Sequence, residues 1–131
     1  MNATGPRGEL LVAEQLMAHD WLVCAPLVAV AHFDLLATKP GVCHRVQVKA
    51  TMKQHTYSSC RPHYQFQLTR GAAARKKYSP DDVDFFICCA IADHRFWVFP
   101  ISAANLLTLK IYNGDEGRFH QYEGAWELLN Q

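Results

Sequence analysis

Three side chains on two short apolar runs carry the groups that phosphodiester hydrolysis needs. Asp34 lies in Phe33-Asp34-Leu35-Leu36, and Gln47 and Lys49 lie in Arg45-Val46-Gln47-Val48-Lys49. The turn sequence Lys39-Pro40-Gly41-Val42 stands between the two runs. A hairpin centred on Pro40-Gly41 pairs positions that sum to 81, which puts Asp34 opposite Gln47. Strand alternation then turns Lys49 to the same face as Gln47. A carboxylate oxygen and an amide oxygen can hold a hard cation, with an ammonium beside them for charge on an attacking water or a phosphate.

A plainer reading competes. Alternating polar residues on a half-covered strand commonly just face water. A slip of one residue would also send these side chains to opposite faces. Pro-Gly suits a tight two-residue hairpin poorly, so a wider loop on the same centre is expected.

The elements that would position these residues can be read outward from them. The 131 residues suffice for one domain, 1–131, around a single core. Half the residues are hydrophobic, yet no apolar run reaches the length of a membrane span. Met1-Asn2-Ala3-Thr4-Gly5-Pro6 lacks a signal-peptide core, which predicts an intracellular, cytoplasmic protein. The formal net charge of +1 neither demands nor forbids a nucleic-acid partner. Its distribution is more informative. Arg61, Arg70, Arg75, Lys76 and Lys77 cluster mid-chain and, with Lys53 and Lys49, form a stretch suited to tracking a phosphate backbone. The same run also reads as a solvated loop. The five cysteines (Cys24, Cys43, Cys60, Cys88 and Cys89) contain no Cys-x-x-Cys, and reduced thiols in apolar runs act as small hydrophobes. Cys60-Arg61-Pro62-His63 taken with Cys43-His44 matches no common zinc-finger spacing.

Gly8 to Trp21 reads as a helix with Leu10, Val12, Ala13, Leu16 and Met17 on one broad apolar side. Glu9 projects within that side. A first-turn carboxylate suits the helix dipole, but one aimed at the core needs a donor or a metal. Leu22 to Ala25, Phe33 to Ala37 and Cys43 to Ala50 are strand-like, and His63 to Leu68 alternates as a half-buried strand. Tyr78-Ser79-Pro80-Asp81-Asp82 has the composition of a helix start capped by Ser79, with both aspartates in the capping turn. Val83 to Ala92 is continuously apolar, as a strand covered on both faces would be, and Asp93-His94 turns it into Arg95 to Phe99. Ile101 to Leu106 suggests a helical turn and Thr108 to Tyr112 a strand. Asn113 to Gly117 reads as a loop and Tyr122 to Leu129 as a last short helix. The order gives an α/β (α+β) chain, strands with helices packed on them.

In this order the segments resemble the PD-(D/E)XK nuclease superfamily, in particular a small bacterial and phage branch that includes a group I intron homing endonuclease. The likeness runs through Gly5-Pro6-Arg7-Gly8-Glu9, Pro26-Leu27, His32-Phe33-Asp34-Leu35-Leu36 and Arg45-Val46-Gln47-Val48-Lys49-Ala50-Thr51. It continues through Tyr78 to Phe86, Phe96-Trp97-Val98-Phe99-Pro100 and Tyr122 to Leu129. The resemblance implies a restriction-endonuclease-like core, a mixed sheet with an antiparallel meander flanked by helices, that cuts DNA with Mg2+, for which Mn2+ would substitute. It also implies Asp34 as main metal ligand and Gln47 where most relatives have a second acid. Lys49 would orient or activate water, and Glu9 would help place the metal. Phe33 stands where the family name has proline, and Gln47 weakens the attraction for a cation. The core's second helix is hard to find in this sequence.

Two function classes follow. One is a magnesium-dependent DNA endonuclease of homing, repair, restriction or junction-resolving type, with loops such as Met52 to Arg61 and Arg70 to Lys77 reading DNA. The other is a DNA-binding or assembly module that keeps the fold without catalysis. So small a chain reaches one phosphate per site, so cutting both strands implies a homodimer or higher homo-oligomer.

Overall fold

The computed structural model describes residues 2–28, 31–57, 59–70, 76–112 and 118–131. Helix α1 spans Thr4–Ala18. It is followed by β1 (Leu22–Cys24), β2 (Leu35–Lys39), β3 (Val42–Thr51), β4 (His63–Gln67) and β5 (Thr69–Arg70). Then come β6 (Lys76–Lys77), β7 (Phe85–Ala90), β8 (Arg95–Pro100) and β9 (Thr108–Tyr112). Short 3-10 turns cover Ile101–Ala103, His120–Tyr122 and Trp126–Asn130.

Five strands form the main sheet in the order β1-β2-β3-β7-β8, with β4-β9 and β5-β6 as separate pairs. β1, β2 and β3 make an antiparallel meander. β7 then runs parallel to β3 and β8 returns antiparallel to β7, so the sheet is mixed. The residues of β7 are all buried because alternate side chains enter two cores. Phe85, Ile87 and Cys89 join Val12, Leu16, Val46 and Val48 beneath α1. Phe86, Cys88 and Ala90 join Tyr64, Phe66, Leu109 and Ile111 from the β4-β9 pair on the other face. A continuous apolar run is what a strand covered on both sides requires.

The hairpin register is the expected one, with Lys39 paired to Val42 and Leu35 to Val46. Its loop is tighter than expected: only Pro40 and Gly41 separate the strands, and Gly41 takes φ 80°. Glycine supplies that positive φ without steric cost. Strand β2 begins at Leu35, so Asp34 is the residue just before it.

Other expectations are corrected. The helix begins at Thr4, not Gly8, with Asn2 Oδ1 accepting from the Thr4 amide at 3.0 Å. Glu9 therefore sits beyond the first turn, and the dipole explanation for it loses force. The apolar side is also narrower than the helical wheel suggests. Gly8, Val12 and Leu16 are buried, whereas Leu10 is 72% and Met17 56% exposed. A helix on a flat sheet buries its i, i+4, i+8 ridge, not a whole arc.

No helix starts at Ser79. The segment makes one turn, with the amides of Asp82 and Val83 bonding the Ser79 carbonyl. The Asp84 amide then donates to the Arg45 carbonyl and draws the chain into the β7 ladder. Arg45 clamps this turn: its backbone and side chain donate to Asp84, and its guanidinium also reaches the Pro80 and Asp81 carbonyls. The last segment is 3-10 turns, not an α-helix, and α1 is the one α-helix among the described residues. No described helix is long and apolar enough to cross a membrane. The expected loop at 113–117 lies outside the described residues.

Candidate active site

Asp34 is held by two bonds to β3. Its amide donates to the Val46 carbonyl at 2.9 Å, and its Oδ2 accepts from the Val48 amide at 2.9 Å. The carboxylate thus lies against the backbone between Gln47 and Lys49. The ladder ends at Leu35–Val46, and the Asp34 amide bonds Val46 as well, so Asp34 leaves the register that would have set it opposite Gln47. Val46 and Val48 point into the core beneath α1, so alternation sends Gln47 and Lys49 to the other face. There they neighbour Phe86 and Cys88 across the parallel ladder. The Gln47 side-chain amide makes no hydrogen bond to another described residue.

Glu9 reaches Asp34 from α1. Gly8 is what permits the approach, since a Cβ there would lie 2.5 Å from the Ala50 Cβ. The close fit of α1 on β3 brings the next side chain down beside Asp34. Glu9 and Asp34 share the wall of a cleft of about 330 Å³ with Ala25, Pro26, Leu27 and Phe33.

Burial and mutual repulsion set the charges. Burial raises the Glu9 carboxyl above its ordinary range, and the Asp34 charge raises it further. Asp34 is also raised by burial, against the opposing pull of the Val48 amide and the Lys49 ammonium. Burial lowers Lys49, with Asp34 and Cys88 acting in the other direction. Lys49 Nζ donates to the Thr69 carbonyl at 3.3 Å and to the Tyr78 hydroxyl at 3.2 Å. Asp34 thus stands between the Glu9 carboxyl and the Lys49 ammonium, and burial pushes both acids toward protonation.

That donor set fits a hard divalent cation. Carboxylates that crowd each other bind a proton more tightly, and the same field favours a metal. The two donors brought together are the carboxyls of Glu9 and Asp34. No group of three His, Cys, Asp or Glu side chains gathers for a metal among the described residues.

The basic residues read from the sequence are carried by several elements. Arg70 lies near the site, its Nη1 2.8 Å from the His32 ring and 3.9 Å from Asp82. Lys76 and Lys77 are exposed on β6 opposite Arg70 and Thr69. Arg61 covers the Tyr112 ring at 4.8 Å. Lys53 is exposed just past the end of β3. Arg75 lies outside the described residues. The cysteine and histidine pairs considered for zinc are dispersed: His44 bonds the Leu129 carbonyl at 2.7 Å, while His63 is buried and stacks on His55.

Sequence reasoning missed Tyr78 as a partner of Lys49. The aromatic was visible only as the residue before the Ser79 turn, and no spacing rule links it to a lysine 29 positions earlier.

A family model described as PD-(D/E)XK endonuclease matches residues 2–128. Among solved structures, a bacterial homing endonuclease, I-Ssp6803I, matches with a TM-score of 0.75. The match covers 95% of this chain and 87% of that one, at 21% identity, a likeness of fold. Among curated proteins no relative matches the chain.

Proposed function

The chain belongs to the PD-(D/E)XK endonucleases, and on that premise we propose that it is a magnesium-dependent endonuclease hydrolysing DNA phosphodiester bonds. Asp34, Glu9 and the Gln47 amide oxygen hold the cation, for which Mn2+ substitutes. Lys49 serves the attacking water and the phosphate. The observation that carries the reading is the Asp34 carboxylate fixed on the Val48 amide, with Glu9 coupled to it and Lys49 beside it. A bound divalent ion supplies Lewis-acid relief of charge on the phosphate and acidifies a water.

The protein's own contributions follow from the geometry. The Val48 amide orients Asp34, so one carboxylate oxygen is spent on the backbone and the other is left for coordination. Lys49 stands where charge develops on the phosphate. Burial makes its ammonium a readier proton donor than an exposed lysine. Lys53, Arg61, Arg70, Lys76 and Lys77 contact the DNA backbone in this reading, which fixes position without reading sequence. Residues 1–131 act as one nuclease domain, and a homodimer or higher homo-oligomer supplies the second site for a double-strand break.

The test is nicking of plasmid and branched DNA with magnesium, repeated with Asp34→Ala and Lys49→Ala. Each substitution lowers the rate by about a hundredfold or more, as expected for loss of a group that stabilises transition-state charge. Nicking that survives both changes rejects the site. A folded wild-type protein that binds DNA but cuts no form of it supports a binding module instead.

A further inference from the structure

Lys49 is not left to find its own orientation. Its Nζ donates to the Tyr78 hydroxyl at 3.2 Å and to the Thr69 carbonyl at 3.3 Å, and it lies 4.9 Å from the Tyr78 ring centre. The Tyr78 ring meets Phe86 edge-on, with centroids 5.3 Å apart at 83°. Phe86 is buried and is also the ladder partner of Gln47. One buried ring thus fixes Tyr78, and Tyr78 fixes the ammonium. The chain on either side of Tyr78 is held as well, by β6 before it and by the Arg45-clamped turn after it.

We infer that Tyr78 is a positioning residue for cleavage, its hydroxyl holding the Lys49 ammonium in place beside Asp34. This rests on the nuclease reading of Lys49. A lysine ammonium sits on a flexible four-carbon stem and samples many rotamers when free. A misplaced charge loses transition-state stabilisation without changing how substrate binds. Thr69 contributes a main-chain carbonyl, so Tyr78 is the one of the two holders that substitution can remove. The phenol acts as a neutral acceptor: burial raises it above the ordinary phenol range, and the Asp34 charge raises it further.

The experiment measures kcat and KM for magnesium-supported plasmid nicking, together with the melting temperature, for wild type, Tyr78→Phe, Tyr78→Leu and Lys49→Ala. Tyr78→Phe keeps the packing on Phe86 and deletes only the hydroxyl. It lowers kcat by about tenfold, the scale of one hydrogen bond to a charged group, with KM and melting temperature at wild-type values. Tyr78→Leu loses at least as much activity and also melts lower. Wild-type kcat in Tyr78→Phe overturns the inference and leaves the ring as packing only. In Tyr78→Phe, a rise in KM at constant kcat, or a kcat loss matched by a fall in melting temperature, overturns it too. Failure of the underlying reading looks different: Lys49→Ala would then cut as fast as wild type.

Discussion

The Asp34 carboxylate and the Val48 backbone amide are joined by a 2.9 Å hydrogen bond, so the acid is oriented by the neighbouring strand and not by its own. The Asp34 amide is tied to the same strand through the Val46 carbonyl. Position and direction of the carboxylate are therefore set by the backbone. The charge itself is a separate matter.

Asp34→Asn separates the two. An asparagine carbonyl accepts the same amide proton, so the variant folds with a stability within about 1 kcal/mol of wild type, the typical net scale of such a bond. Nicking nevertheless falls by about a hundredfold or more. Melting curves and plasmid assays on the same preparation check this. A variant that unfolds, or one that still cuts, contradicts it.

Glu9→Gln is expected to stabilise the protein at neutral pH. Because the folded-state pKa of Glu9 is raised by burial and by Asp34, the native chain binds protons more readily than the unfolded one. Stability contributed by this group is thus present at low pH and lost as pH rises through the raised value. Glutamine removes that cost. Its advantage in melting temperature fades in acid, where the wild-type carboxyl is itself protonated, and narrows at neutral pH when magnesium is added. An advantage independent of pH and of magnesium would refute the coupling.

Gly8→Ala drives a Cβ against Ala50, at 2.5 Å if nothing moves. Both contacting atoms hang directly from backbone, so α1 must shift on β3 and carry Glu9 with it. Overpacking of this kind costs about 1–3 kcal/mol, more than the helix propensity gained on replacing glycine. Cleavage falls as well. The double variant Gly8→Ala with Ala50→Gly restores both, as thermal melts and nicking rates will read. A single variant more stable than wild type would show that the close approach is absent.

Much of this arrangement was legible because it is local. Lys39-Pro40-Gly41-Val42 fixed the hairpin centre, and from it the register from Lys39–Val42 to Leu35–Val46. The unbroken apolar run from Val83 announced a strand buried on both faces, and the alternation of Tyr64, Phe66 and Leu68 announced one facing a core. What escaped depends on tertiary partners. Leu10 and Met17 look no less apolar than Val12 and Leu16. Only the contact of Gly8 with Ala50 decides which ridge of the helix meets the sheet. Ser79 and Pro80 do begin a turn, but the bond from the Asp84 amide to Arg45 pulls the chain into a strand before a helix can propagate. The tight Pro40-Gly41 loop is not apparent from the sequence because it depends on the φ of 80° that Gly41 adopts.

The most direct test is to soak crystals of the protein in manganese and map the anomalous signal. The account predicts one ion touching the carboxylates of Asp34 and Glu9 and the amide oxygen of Gln47, at about the 2.0–2.2 Å typical of small hard cations. An ion bound elsewhere, with Asp34 and Glu9 turned into separate pockets, would contradict it.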